Sequence, residues 1–356
     1  MSAATHGHQI PVREDWLATR REEALDPGQA IVDPHHHLWD QPGWRYLLDE
    51  LLADLRDGGH DVRATVYVQS SRSMLRAEGP EAMRAVGETE FANGAAAMCA
   101  SGRYGPVRAC AGIVAAADLC LGDAVRPVLE AHVTAAGGPE GRLRGVRHIA
   151  TWDPDPAVLN PAYRPAEDML DSPAFRAGFA HLAPLGLGYD AWLYFHQLPR
   201  LTALARAFPG TRIVLDHCGG VLGIGRYAGR RDEVFAAWSA ALRDLAACPN
   251  VVVKLGGLGM RLPGFGFEAW ERAPSSTELA EAWRPWMEGC IAAFGPARCM
   301  FESNFPVDKG SYGYTVGWNA MKRMAAGASA DEKADLFWRS AARFYRLSGS
   351  GLPDER

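Results

Sequence analysis

Ile31-Val32-Asp33-Pro34-His35-His36-His37-Leu38-Trp39-Asp40 joins an apolar pair to an acidic residue and then to three histidines. The apolar lead predicts a short buried strand that ends near Asp33. Alternate residues of a strand face the same way. His35 and His37 therefore project together from the strand end. Two imidazoles held like that suit a divalent metal, or the polarisation of a substrate carbonyl.

Working outward from that strand, short β-like runs alternate with longer helical ones. The first run covers 30–33. Others follow at 63–69 (RATVYVQ), 107–114, 143–149, 188–195, 211–216, 251–255 and 299–303. Helical spacing of apolar residues covers 81–100, 124–136, 172–182, 198–208, 232–247, 277–294 and 331–345. Pro209-Gly210 and Pro249-Asn250 are stops placed just before strands. Eight strands, each followed by a helix or a long loop, predict a single-domain (β/α)8 TIM barrel of the α/β class. A doubly wound sheet is the alternative, but no G-x-G-x-x-G follows the first strand. The expected boundaries are an N-terminal extension at 1–29 with a short helix near 16–23, a barrel at 30–347 and a tail at 348–356. Long loops at 151–171 and 256–276 follow strands, so both should cover the catalytic face.

At 356 residues the chain has room for one large barrel. An apolar content of 48% with 22% charged residues is that of a soluble globular protein. The net charge of −5 and the lack of a basic run longer than a pair exclude an electrostatic nucleic-acid binder. No membrane span and no signal peptide are expected, because no apolar stretch is long enough. The seven scattered cysteines form no C-x-x-C and read as reduced thiols of a cytoplasmic protein. Cys218 follows a site histidine, yet a small buried residue is its plainer reading.

Chemistry in such a barrel sits at the C-terminal strand ends. Those ends supply His35 and His37, then Gln69, Arg147 with His148, His196, His217, Lys254, and Glu302 with Asn304. Asp308 lies four residues further on. Any one histidine there could be a satisfied side chain; a set at separate strand ends points to function. Three neutral imidazoles with an open position make a catalytic zinc site. Without metal they could hold a carbonyl oxygen instead. Arg147 has the planar fork for a carboxylate, with a rim ion pair as the alternative. Lys254 interrupts the apolar run VVVKLGG, which predicts a functional lysine in the barrel mouth.

D-P-H-H-H-L-W-D at 33–40 resembles the D-x-H-x-H-x-W-D opening of the amidohydrolase-2 group. That group holds sugar-acid and pyrone-dicarboxylate lactonases with related decarboxylases. LRGVRH at 143–148, LPRLTALARAFPGTRIVLDHCGG at 198–220, NVVVKLGGLG at 250–259 and MFESNFPVD at 300–308 extend the resemblance in the same order. The resemblance implies a distorted TIM barrel that hydrolyses an ester or lactone. It matches His35 and His37 to the first-strand pair, and His217 to the sixth-strand histidine. Arg147 matches an arginine that meets the substrate carboxylate in some members. The family's eighth-strand aspartate stands in an S-D-W-P-like run, which here is Ser303-Asn304-Phe305-Pro306. Asn304 is neutral and cannot act as a base or an anionic ligand. The base is then Glu302, Asp308 or His217, unless hydrolysis has been lost.

The reading that follows is a hydrolase of a lactone or related ester of a small carboxylate or polyhydroxylated substrate. His35, His37 and His217 activate the carbonyl, through one divalent metal (zinc before others) or through none. Asn304, Asp308 and Glu302 complete the catalytic set. Gln69, Arg147, His148, His196 and Lys254 hold the substrate. A metal-dependent decarboxylase of an unsaturated or aromatic acid is the first alternative. A barrel kept for binding after losing catalysis is the second. The partner expected is a small molecule, not nucleic acid or membrane, and a homo-oligomer stays open.

Overall fold

The computed structural model describes residues 9–71, 73–160, 163–347 and 351–353. Eight parallel strands form one sheet in chain order. They are β1 (Ala30–His36), β2 (Asp61–Val68), β3 (Arg108–Ala116), β4 (Leu143–Arg147), β5 (Gly188–Ala191), β6 (Ile213–Leu215), β7 (Val251–Leu255) and β8 (Cys299–Phe301). Each agrees with an expected run to within a few residues. β1 runs three residues further than expected, so His35 and His36 lie within it.

Eight helices follow the eight strands. They are α1 (Leu48–Asp57), α2 (Val86–Ala100), α3 (Arg126–Ala135), α4 (Pro173–Phe179), α5 (Leu198–Ala207), α6 (Arg231–Ala246), α7 (Ser276–Phe294) and α8 (Tyr314–Met324). α1 and α8 go beyond the helices expected above. The signal for α1 is present: Leu48, Leu51, Leu52 and Leu55 recur at helical spacing, and all four are buried. A small hairpin of Trp39–Gln41 and Trp44–Tyr46 hides that signal by breaking the pattern just before it. The expected helix near 16–23 is instead a single turn at Glu14–Leu17.

The sheet closes between its first and last strands. Asn304 N–H donates to His35 O at 3.0 Å, and His37 N–H to Phe305 O at 2.8 Å. Asp33, fully buried, accepts Ser303 N–H at 3.1 Å on Oδ1 and the Tyr314 hydroxyl at 3.1 Å on Oδ2. The lower half of the barrel is filled by Val32, Val66, Val114, Val214 and Met300. Trp338, Phe344 and Tyr345 of the last helical stretch plug it from beneath. That stretch was expected as one helix; it contains a π-turn at Asp335–Arg339 that turns Leu336, Phe337 and Trp338 inward.

Residues 9–29 pack on the barrel, with Ile10, Trp16 and Leu17 buried. Residues 1–8 and most of the expected tail (348–350 and 354–356) lie outside the described residues. The cysteines are free, and all but Cys120 are buried. Among the described residues no helix is long and apolar enough to cross a membrane.

His132 on α3 is fully buried, with Nδ1 2.8 Å from the Thr89 hydroxyl. Burial pushes its pKa from 6.5 down to about 4. The unfolded chain therefore binds the extra proton between those values, and stability rises with pH across them. The stability from neutral His132 is full above pH 6.5 and lost as pH falls to about 4. Melting temperature should drop over that interval, and His132→Asn should make the drop shallower; an unchanged slope in the variant would refute this.

Candidate active site

The end of β1 carries both members of the opening histidine pair. His37 Nδ1 lies 2.8 Å from Val68 O of β2. A carbonyl can only accept, so Nδ1 carries the hydrogen and Nε2 keeps its lone pair. His217 follows β6, and its Nδ1 lies 2.7 Å from Glu302 Oε1. His217 and Asn304 both sit in the left-handed backbone region, with φ 56° and 55°. Gly257 lets the turn after β7 approach, since a Cβ there would lie 2.5 Å from His217 Cβ.

A cleft of about 720 Å³, counted to its open mouth, lies at this end of the barrel. Its polar lining includes His37, Arg147, His217 and Asn304, and its apolar lining includes Trp39, Trp192, Met260 and Leu262. His35 lies one layer deeper, fully buried. Its ring centroid is 5.0 Å from that of His37 and 4.5 Å from that of His217.

Beneath the cleft sits a cluster of buried charges. Lys254 Nζ lies 2.7 Å from Asp190 Oδ2, 3.0 Å from Asp216 Oδ1 and 3.0 Å from His35 Nδ1. Burial would discharge Lys254, but Asp190 and Asp216 outweigh it and hold the pKa above its usual value. Burial lifts Asp190 to about 6. Asp216 goes the other way: Lys254 and His35 overcome its burial and hold it well below the carboxylate range. Burial also raises Glu302, yet His217 and His35 bring it down to about 2. Burial, reinforced by the Lys254 charge, lowers His35 to about 4, so that ring is neutral near pH 7.

The sequence-predicted residues separate into four groups. His37, His217, Arg147 and Asn304 reach the cleft. His35, Glu302, Asp308 and Lys254 are fully buried and lie behind it. Lys254 is thus a counter-ion under the site, directed away from the mouth by Asp190 and Asp216. Gln69 and His148 line a neighbouring cleft on the far side of Arg147. His196 reaches neither cleft, its Nε2 lying 2.9 Å from Asp153 Oδ2. Asp190, Asp216, Trp39 and Trp192 belong to the site without having been singled out. Asp190 and Asp216 carry the same signal as Lys254, a charge inside an apolar strand.

Asp308 explains the neutral residue on β8. It accepts Asn304 Nδ2–H at 2.7 Å, Gly259 N–H at 2.9 Å and the Tyr312 hydroxyl at 2.9 Å. Burial lifts its pKa to about 7. An ionised aspartate at 304 would face a second carboxylate there, whereas the asparagine amide donates to it. Asn304 Oδ1 is left buried with no partner among the described residues.

Histidines 35 and 217 with Glu302 bring ligand atoms within 4.8 Å of one another. The donor types are those of a zinc site. Their surroundings do not fit one. Lys254 Nζ stands 3.0 Å from His35 Nδ1, and Arg147 Nη1 3.3 Å from its Nε2. A dication at either nitrogen would meet a cation already in place. His37, expected as the third imidazole ligand, is not in this group, although its Nε2 keeps a free lone pair.

The sequence profile of the amidohydrolase family matches residues 32–347. An uncharacterised protein of Sinorhizobium fredii is 33% identical over 340 residues, 89% of this chain and 99% of that one. An L-fucono-1,5-lactonase of Burkholderia multivorans is 31% identical over 207 residues, 58% of this chain and 64% of the lactonase. The match thus spans a little under two thirds of the lactonase. A crystal structure of a Burkholderia multivorans amidohydrolase with bound zinc superposes with a TM-score of 0.67 at 27% identity, covering 89% of this chain and 99% of that one.

Removing Lys254 would leave Asp190 and Asp216 buried without their cation. Lys254→Met should cost about 3–5 kcal/mol in urea unfolding. Breaking the exposed Arg126–Glu130 pair with Arg126→Ala should cost less than about 1 kcal/mol. Equal losses in the two variants would contradict the assignment of Lys254 as the counter-ion of the site.

Proposed function

The chain belongs to the amidohydrolase family, and on that footing we propose that it hydrolyses a lactone or related ester of a small carboxylate or polyhydroxylated molecule. The observation that carries this reading is the 2.7 Å contact between buried Glu302 and His217 at the cleft. The carboxylate holds the hydrogen on His217 Nδ1 and leaves Nε2 as the proton acceptor. Asn304 Oδ1, kept unpaired by the grip of Asp308 on the amide nitrogen, accepts the second hydrogen of the attacking water.

The water oxygen adds to the carbonyl carbon while His217 Nε2 takes its proton. Arg147 is the cation of the cleft lining and stabilises the oxyanion. Its Nε–H is buried with no partner among the described residues, while its Nη2 is occupied by Gln69 O at 2.7 Å. Collapse of the adduct breaks the ring C–O bond. The imidazolium returns its proton to the leaving alkoxide, and a hydroxy acid leaves. His35 stays neutral, with Nδ1 3.0 Å from Glu302 Oε2 in the frame beneath. No step requires a metal, in keeping with the cations already flanking His35. The similarity to L-fucono-1,5-lactonase supports the substrate class.

A panel of aldonolactones and dicarboxylate lactones, followed by acid release, tests the reading. At least one member should be opened, and exhaustive dialysis against a chelator should leave the rate unchanged. His217→Asn should lower kcat by about 10²–10⁴-fold. Glu302→Gln should lower kcat with little change in KM. Ring opening that survives in His217→Asn would remove His217 as the base, and a wild-type protein that opens no member would end the proposal.

A further inference from the structure

The N-terminal segment does more than cover the barrel. Ile10 is 3% exposed and sits directly on Gly310, where a Cβ would come within 2.6 Å of Ile10 Cβ. Glu14 Oε1 lies 3.1 Å from Lys309 Nζ. These two contacts tie the segment to the chain that follows β8. Trp16 Nε1–H donates to Trp270 O at 3.0 Å, and Arg13 to Glu268 O at 2.5 Å. Those tie it to the long loop after β7. Both anchoring regions lie on the catalytic face, so the segment bridges the loops that border the cleft.

Its first described residue, Gln9, enters the cleft and lines it together with Asn304 and Val307. Gln9 Oε1 is buried and has no hydrogen-bond partner among the described residues. A buried amide oxygen without a donor is unfavourable and rare. An amide oxygen can only accept. Its complement is an O–H or N–H group, and a substrate carboxylate would be repelled. Of these, a ring hydroxyl is what a polyhydroxylated lactone brings.

We infer that the N-terminal segment is a wall of the substrate cleft and that Gln9 accepts a hydrogen bond from a substrate hydroxyl at Oε1. The inference rests on the lactone reading for its choice of ligand. It makes Gln9 a specificity-determining residue supplied from outside the barrel. Selectivity between hydroxylated and bare lactones then depends on a segment that the barrel strands do not encode.

Gln9→Met keeps the length and removes the acceptor; Gln9→Glu keeps acceptor oxygens. Both are compared with the full-length wild type on the best aldonolactone of the panel and on δ-valerolactone, which has no hydroxyl. Binding of the same aldonolactone is measured separately by calorimetry. Gln9→Met should weaken aldonolactone binding and lower kcat/KM about 10-fold, through KM. It should leave δ-valerolactone unchanged, and Gln9→Glu should recover part of the loss. Equal loss on both lactones, or no loss on either, overturns the inference. If the wild type binds aldonolactones without opening them, the hydrolase reading falls while the binding comparison still tests Gln9. If it binds none of them, both fall.

Discussion

Closure of the barrel between its first and last strands is the constraint on which the site depends. The backbone bonds from Asn304 to His35 and from His37 to Phe305 lock the end of β1 against the chain leaving β8. Asp33 reinforces them by accepting from Ser303 and Tyr314. This seam joins residues about 270 positions apart and places His35 beside Glu302 at 3.0 Å. Without it, the opening histidines and the eighth-strand residues would not share a site. The role of Asp33 is therefore architectural, although it stands at the head of the histidine motif.

The polar groups beneath the cleft illustrate how buried charge is tolerated. Asp190, Asp216 and Glu302 are fully buried, and unpaired carboxylates at that depth would be too costly to keep ionised. Lys254 supplies the opposite charge to Asp190 and Asp216, and the imidazoles of His217 and His35 stand in hydrogen-bond contact with Glu302. Tyr345 from the terminal helix donates to Asp190 at 2.7 Å, so the plug under the barrel also contributes to the polar layer under the site. Layering of this kind leaves His217 with one orientation, because its Nδ1 already has a committed partner.

Asn304 shows why a family pattern must be read together with its neighbours. On the motif alone, the change from an acid to an amide leaves the base open among Glu302, Asp308 and His217, with lost hydrolysis as the alternative. In the fold, Asp308 stands against it and takes the hydrogen bond that only the amide can give. The carboxylates of this region, Glu302 and Asp308, lie behind the cleft. The proton-accepting role passes to the imidazole that Glu302 orients.

The sequence by itself determined the barrel, because apolar strands and amphipathic helices alternate at periods that only one architecture buries. It also determined His35, His37, Arg147, His217 and Asn304 as strand-end residues, since strand position sets which end of a barrel a side chain occupies. Depth was not legible. Lys254 and His196 read like cleft residues from their positions, yet ion pairs with Asp190 and with Asp153 turn them elsewhere. Neither partner is near in sequence. Gln9 was not legible at all, because its place follows from contacts of Ile10, Arg13 and Trp16 with chain some 255–300 residues away. Periodicity reports the face of an element on which a residue lies. Only tertiary packing decides which charges meet across the barrel, and which of them are left facing the cleft.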